Sequence, residues 1–149
     1  MHLKIRACCR SDIDSLLDVF LLNTPKYFHP KEVDDYRIYL NDHWKNYIVI
    51  EKEGELLGGT GYQMSPVGAE AQISWIFVHP DYAGKGLGKK MVRHCLQLFR
   101  SQNRIRIVTV RTSQWAYKFF EKFGFVTIRK EHDYWAKGLD LYEMNLGFQ

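Results

Sequence analysis

Cysteine and proline are scarce in this chain, with three and four residues among 149. Cys8 and Cys9 are adjacent and Cys95 stands alone. No CxxC spacing exists, and the odd count supports neither a zinc-ligand set nor a disulfide framework. The reading is three reduced, structural thiols and no metal. No apolar run approaches the roughly 20 residues of a membrane helix, and the segment 1–6 lacks the apolar stretch of a secretory signal. No membrane role is expected, and the expected location is cytoplasmic. Linkers rich in Pro, Gly or Ser are also missing, as are internal repeats, so residues 1–149 read as one domain. Charge of one sign is not in excess either: 21 Lys and Arg face 17 Asp and Glu, a net charge of +4. Basic residues gather only at Lys85/Lys89/Lys90/Arg93 and at Arg100/Arg104/Arg106. That is too thin for a nucleic-acid stripe. The first grouping reads as an anion site and the second as solvated surface.

Alternation and 3–4-residue periodicity place the elements. Residues 3–7 form a first strand. Ser11 has the position of a helix N-cap, followed by Ile13, Leu16, Leu17, Phe20 and Leu21 on one helical face. After a loop with Pro25 and Pro30, a short helix carries Val33, Tyr36 and Leu40 on one side. Strands at 47–50 and from 56 flank a turn, and Gly58, Gly59 and Gly61 mark a twist or bulge in the second. Residues 72–78 are apolar on both faces near their end, as in a central strand. A helix follows with Leu87, Met91, Val92, Cys95, Leu96 and Phe99 buried, then a strand at 105–110. A helix around Phe119 and Phe120 ends at Gly124, and strands at 125–129 and 141–146 close the chain. The order is β-α-α-β-β-β-α-β-α-β-β, an α/β (α+β) arrangement.

The informative segment joins the central strand to the long helix. Gly84, Gly86 and Gly88 stand at alternate positions just where the helix begins. Glycine adopts positive φ and lets a ligand approach the backbone. A helix N-terminus adds free N–H groups and partial positive charge, which suit a pyrophosphate. The pattern is not Gly-x-x-x-x-Gly-Lys-Ser/Thr, because Lys90 follows Gly88-Lys89. Nor is it the dinucleotide spacing Gly-x-Gly-x-x-Gly, and no acid follows at 101–106.

Val78-His79-Pro80 through Gly88 resembles the pyrophosphate loop of the GNAT superfamily of N-acetyltransferases, Gln/Arg-x-x-Gly-x-Gly/Ala after a Val-x-Pro strand end. Ala83 stands at the usual Gln/Arg position. Downstream, Ala116-Tyr117-Lys118-Phe119-Phe120 to Gly124-Phe125 is similar to the family's Ala-x-x-Phe-Tyr-x-x-x-Gly-Phe segment. The likeness spans most of the chain. It implies one GNAT-like domain whose mixed, mostly antiparallel sheet splays between its two central parallel strands, with helices on both faces. It implies acetyl-CoA as co-substrate and direct attack by a primary amine of a small molecule or peptide. Phe77 and Val78 would pair with the pantetheine arm, and the Val78 N–H would polarise the thioester carbonyl. Ala83, Gly84, Lys85, Gly86, Leu87, Gly88 and Lys89 would hold the pyrophosphate.

Two positions depart from the family pattern. Ser113 stands where an Asn often bonds the cofactor arm, and Phe120 where a Tyr commonly protonates the leaving thiolate. A general acid contributes about 10²–10⁴-fold, although a thiol of pKa about 8.5 leaves tolerably without one. Tyr117, one helical turn away, is the nearest substitute, and Tyr134, in the loop before the last strand, a weaker one. The missing tyrosine also supports an alternative, a CoA-binding regulatory or sensor domain. The resemblance places the acceptor between the loop of the first two helices and the last two strands, where Tyr27, Phe28, Tyr36 and Trp135 provide aromatic walls. No general base is assigned. No motif encodes an oligomeric state, though homodimers are frequent in the family.

Overall fold

The computed structural model describes residues 2–149. Its strands are β1 Leu3–Ala7, β2 Tyr47–Lys52, β3 Glu55–Met64, β4 Glu70–Val78, β5 Ile107–Thr112, β6 Val126–Ala136 and β7 Leu139–Gly147. Its helices are α1 Ile13–Leu22, α2 Glu32–His43, α3 Leu87–Arg100 and α4 Tyr117–Glu121. The strands make one sheet in the order β1-β2-β3-β4-β5-β7-β6. Each neighbouring pair is antiparallel except the central pair, β4 and β5, which is parallel. This is the expected element order and the expected α+β class.

Alternation along β2 divides the core between two faces. Ile48 and Ile50 point to one face, where they meet Met91, Cys95 and Phe99 of α3. Tyr47 and Val49 point to the other, against Leu16 and Phe20 of α1 and Tyr36 and Leu40 of α2. Each such side chain contributes about 1.5–3 kcal/mol on burial. α1 and α2 therefore cover one face and α3 and α4 the other.

Beta-strand β3 is glycine-rich because aromatic rings lie across it. A Cβ on Gly59 would collide with the Tyr47 ring, and one on Gly61 with the Tyr39 hydroxyl. Opposite, Ser74 pairs with Gly61 and Phe77 with Gly59, so Trp75 and Ile76 face Thr60 alone. This is a β-bulge, and Trp75 takes φ 51° within it. The displaced carbonyls are satisfied by side chains: Tyr47 donates to the Trp75 oxygen at 2.7 Å, Thr60 to the Ser74 oxygen at 3.3 Å. Of the twist or bulge expected from the glycines, the structure has the bulge, between Gly59 and Gly61.

The bulge lies just beyond the last paired residues of the two central strands. Parallel pairing of β4 with β5 ends at Ile73 with Val110. Beyond it, β4 continues to Val78 beside β3 while β5 continues to Thr112 beside β7. The two central strands part, leaving a slot through the sheet.

Some local expectations change. Ser11 is not the cap of α1: a 3-10 turn, Arg10–Asp12, precedes the helix. Asp12 ties that turn instead, accepting the Cys9 N–H at 2.7 Å and pairing with Arg6 at 2.8 Å. The Arg6 guanidinium holds the Asp12 carboxyl below its ordinary pKa. Cys8 is buried and Cys9 exposed, so a structural role is confined to Cys8 and Cys95. Tyr134 lies within β6 rather than in a loop.

Candidate active site

The glycine loop runs from the end of β4 to the start of α3. Gly84 and Gly86 take φ 77° and 86°, and a Cβ on either would meet nothing within 4 Å. Their glycine identity therefore follows from backbone conformation beside open space. Gly88 differs, since a Cβ there would lie 3.2 Å from the Phe119 ring. It lets α4 close on α3. Lys90 makes the first intrahelical bond of α3, to the Gly86 carbonyl. The N–H groups of Leu87, Gly88 and Lys89 thus lie in the unpaired first turn, and the Gly84 and Gly86 N–H groups have no protein acceptor among the described residues. Ala83 and Lys85 are corrected in part: their N–H groups are spent on the carbonyls of Pro80 and Tyr82. Lys85 still brings its ammonium, set 5.2 Å from the Tyr82 ring centre, and Lys89 is exposed at the helix start. His79 shapes the entry, its Nδ1 accepting the Asp81 N–H at 3.1 Å.

Val78 stands at the slot. The His79 N–H bonds the Leu57 carbonyl of β3 at 2.6 Å. Alternation along the strand turns the Val78 N–H the other way, into the gap left by β5. The Val78 carbonyl is pinned by Asn23 Nδ2 at 3.1 Å, and the same nitrogen holds the Val19 carbonyl at 3.0 Å. Asn23, at the end of α1, carried no sequence signal because its partner lies 55 residues away. Phe77 is buried among the α1 and α2 aromatics and its backbone faces Gly59 of β3, so the expectation that it pairs with a cofactor arm across the slot is corrected.

On the face of α3 and α4, Tyr117 stacks on Tyr142 with ring centres 4.4 Å apart. Ser113 is buried; its carbonyl accepts from Ala116 and Tyr117, and its hydroxyl accepts the Trp115 N–H at 3.3 Å. Its hydroxyl closes the turn before α4 rather than reaching freely into the slot. Phe120 is 1 % exposed, packed against Phe119 and Phe125, and is a core residue rather than a wall of the slot.

On the opposite face, β6 carries a wide bulge. Its pairing with β7 jumps from Glu131 and Leu141 to Ala136 and Leu139. Asp133, at φ 53°, organises the bulge by accepting the Gly138 N–H at 2.7 Å, while Asp140 accepts the Asp133 N–H at 2.9 Å. His132 lies 3.1 Å from Asp140 and 3.4 Å from Asp133, so the adjacent pair is joined to a third residue. The bulge turns Trp135 back to β5, where its Nε1 donates to the Thr112 carbonyl at 3.2 Å. Tyr134 accepts from Arg111, whose guanidinium lies 5.1 Å from that ring and 5.7 Å from Trp135. Arg111 itself sits one residue past the last β4–β5 pair.

A shallow cleft of about 290 Å³ lies between the α1–α2 loop and the β6–β7 hairpin. Pro25, Lys26 and His29 face Trp115, Ala136, Lys137, Gly138 and Leu139 across it. The sequence reading expected an acceptor between these same segments, but Tyr27, Phe28, Tyr36 and Trp135 are not among the residues lining this cleft. Tyr36 is corrected outright: it is 0 % exposed and donates to the Tyr47 hydroxyl at 2.8 Å. Phe28 packs on Phe20 and Trp75, joining the same aromatic core. Tyr27 is exposed beside Lys26, and Trp115, 54 % exposed, was missed.

Comparison with known proteins agrees with this geometry. Residues 13–125 match the model of the Acetyltransferase (GNAT) family. A candidate ribosomal protein bS18-alanine N-acetyltransferase of Bacillus subtilis (strain 168) is 29% identical over 126 residues, covering 82% of each chain. The ribosomal-protein-S18-alanine N-acetyltransferase of Escherichia coli superposes with TM-score 0.79 at 16% identity, over 98% of this chain and 94% of that one. An acetyltransferase-like protein of Salmonella typhimurium, solved with its cofactor acetyl-CoA, gives TM-score 0.76 at 16% identity, over 100% and 95%. The chain belongs to the GNAT acetyltransferase family, as an acetyl-CoA-dependent N-acetyltransferase.

Proposed function

We propose that this enzyme acetylates the α-amine at the end of a peptide or protein chain. The observation that carries the reading is the cleft: it is open, lined largely by exposed residues, and no carboxylate is among its lining side chains. An amine must be neutral to attack. A Lys side chain of pKa about 10.4 needs a strong local base, whereas an α-amine of pKa about 7.7–8.0 is substantially neutral near pH 8. The relatives named for alanine N-acetylation agree in chemistry.

Acetyl-CoA supplies an acetyl group activated as a thioester. The fitting residues are those of the glycine cradle: the N–H groups of Gly84, Gly86, Leu87, Gly88 and Lys89, with the ammonium groups of Lys85 and Lys89, would hold the diphosphate. The strand edge at Val78 would align the pantetheine arm. In this reading the Val78 N–H meets negative charge developing on the acyl oxygen, a preorganised donor fixed by Asn23 and by the β3 pairing. Tyr117, on the α3–α4 side of the sheet, would give its hydroxyl proton to the departing sulfur and would be reprotonated by solvent, which takes up the proton the amine releases. Tyr134 lies on the acceptor side, with its hydroxyl engaged by Arg111, and together with Trp135 orients the incoming chain.

The test is a pair of peptides read by mass spectrometry after incubation with acetyl-CoA. One has a free α-amine and an internal Lys; the other has the same sequence with its α-amine blocked. Acetylation confined to the free α-amine is expected. Modification of the internal Lys in both would overturn the reading.

A further inference from the structure

The acceptor cleft carries positive charge that acetyl transfer itself does not require. Lys26 extends from the α1–α2 loop across to the opposite wall, its Nζ 5.2 Å from the Tyr27 ring centre and 5.5 Å from that of Trp115. Lys137 stands on the facing hairpin, and both lysines are exposed. His29 lines the same cleft with its Nδ1 occupied as acceptor of the Lys31 N–H at 3.0 Å. Its neutral form therefore carries the proton on Nε2 and offers a donor. Every polar side chain lining the cleft is thus a donor.

The carboxylates nearby are directed elsewhere. Glu32 accepts the His29 N–H at 2.8 Å, and burial pushes its carboxyl up. Asp133 and Asp140 hold the hairpin's own N–H groups at 2.7 and 2.9 Å and flank His132. Gln114 locks that hairpin in place, donating to the Gly138 carbonyl at 2.8 Å and accepting the Asp140 N–H at 2.9 Å. The hairpin bearing Lys137 is therefore a fixed wall.

We propose that the acceptor is an acidic peptide, whose carboxylates just after the reacting residue lie between Lys26 and Lys137 over the Trp115 indole. This rests on the α-amine reading above and names the class of chain that the cleft selects. Opposite charge across a partly exposed interface contributes mainly to selectivity and association rate, and weakens with salt. A basic peptide would meet like charge on both walls.

The test uses the full-length protein with three free-amine hexapeptides identical except for Glu, Gln or Lys at positions 2–4, each with a C-terminal fluorophore. Binding is read by anisotropy in the presence of CoA, and transfer by mass spectrometry with acetyl-CoA. The Glu peptide is expected to bind about tenfold tighter than the Gln peptide, a difference of about 1.4 kcal/mol, and the Lys peptide weakest. The K26E/K137E double variant should reverse that order, with CoA affinity and the melting temperature held. Equal binding of the three, a Lys preference, or an order insensitive to the double variant overturns the proposal. Charge-selective binding without acetylation keeps the cleft assignment and sinks the transfer reading; acetylation blind to charge does the opposite. Absence of both binding and transfer refutes both.

Discussion

The Tyr47 hydroxyl donates to the carbonyl of Trp75 at 2.7 Å, joining the edge of the aromatic core to the bulge in β4. Tyr36 donates in turn to Tyr47, so a buried chain of two phenols ends on the backbone atom that the bulge releases. Burial raises both phenols well above their ordinary pKa and keeps them neutral donors. The bulge lies next to the point where β4 and β5 part, so a packing arrangement in the core sets the strand that carries Val78.

Tyr47→Phe removes that donor while preserving the ring. The Trp75 carbonyl and the Tyr36 hydroxyl then lose their partner, a loss of about 1–3 kcal/mol. Urea unfolding should show this drop, and acetyl transfer should fall with it as β4 loosens. Unchanged stability would mean that the bulge is held by pairing with β3 alone.

Gly86 and Gly88 are two positions apart yet should respond differently. Gly86→Glu places a carboxylate in open space beside the free N–H groups, so the fold should survive while acetyl-CoA affinity falls at least about 100-fold, or about 2.7 kcal/mol. Gly88→Val drives a branched side chain into Phe119, with an overpacking cost of about 1–3 kcal/mol. Calorimetric titration and thermal melts separate the two effects.

That contrast also shows what was legible in the sequence. The glycine loop could be read because positive φ and a helix start are local properties, and the helix that follows announced its buried face by periodicity. Tyr36 was misplaced because spacing with Leu40 marks a buried face without distinguishing core from cleft. Ser11 looked like a cap, but the adjacent Asp12 ties the turn to Arg6 and Cys9, six and three residues before it, and residue type alone does not rank the two candidates. The glycines of β3 announced the bulge there, whereas Asn23 on Val78 and the meeting of Lys26 with Trp115 depend on chain segments far apart. Trp115 in particular is an exposed aromatic in a turn, with no periodic pattern to mark it.

Tyr117→Phe should lower kcat by about 10²-fold or more if its hydroxyl supplies the leaving-group proton. KM for acetyl-CoA should stay nearly constant, because the Tyr142 stacking survives. The loss should shrink for a thioester whose thiol is more acidic, since that sulfur needs less help. Tyr134→Phe should instead raise the peptide KM, its hydroxyl being bound to Arg111 on the other face. An unchanged kcat in Tyr117→Phe would remove it from the chemistry.

The thiols give a pH prediction. Burial pushes Cys8 and Cys95 up to about 12. In the unfolded chain these groups release their protons near pH 8.5–9, so above that range the unfolded state binds fewer protons and stability falls with rising pH. The loss accumulates from about pH 9 up to the raised native pKa of about 12. Thiol titration of the native protein at pH 8 should find Cys9 alone reactive, with Cys8 and Cys95 appearing only on unfolding.

Amide hydrogen exchange, read residue by residue with and without acetyl-CoA, tests the slot and loop together. Slowed exchange at Gly84, Gly86, Leu87, Gly88 and Lys89, and at Val78 across the gap, is the expected result. Bound acetyl-CoA that leaves those six amides exchanging as before would contradict the assignment of the cofactor to this loop and strand end.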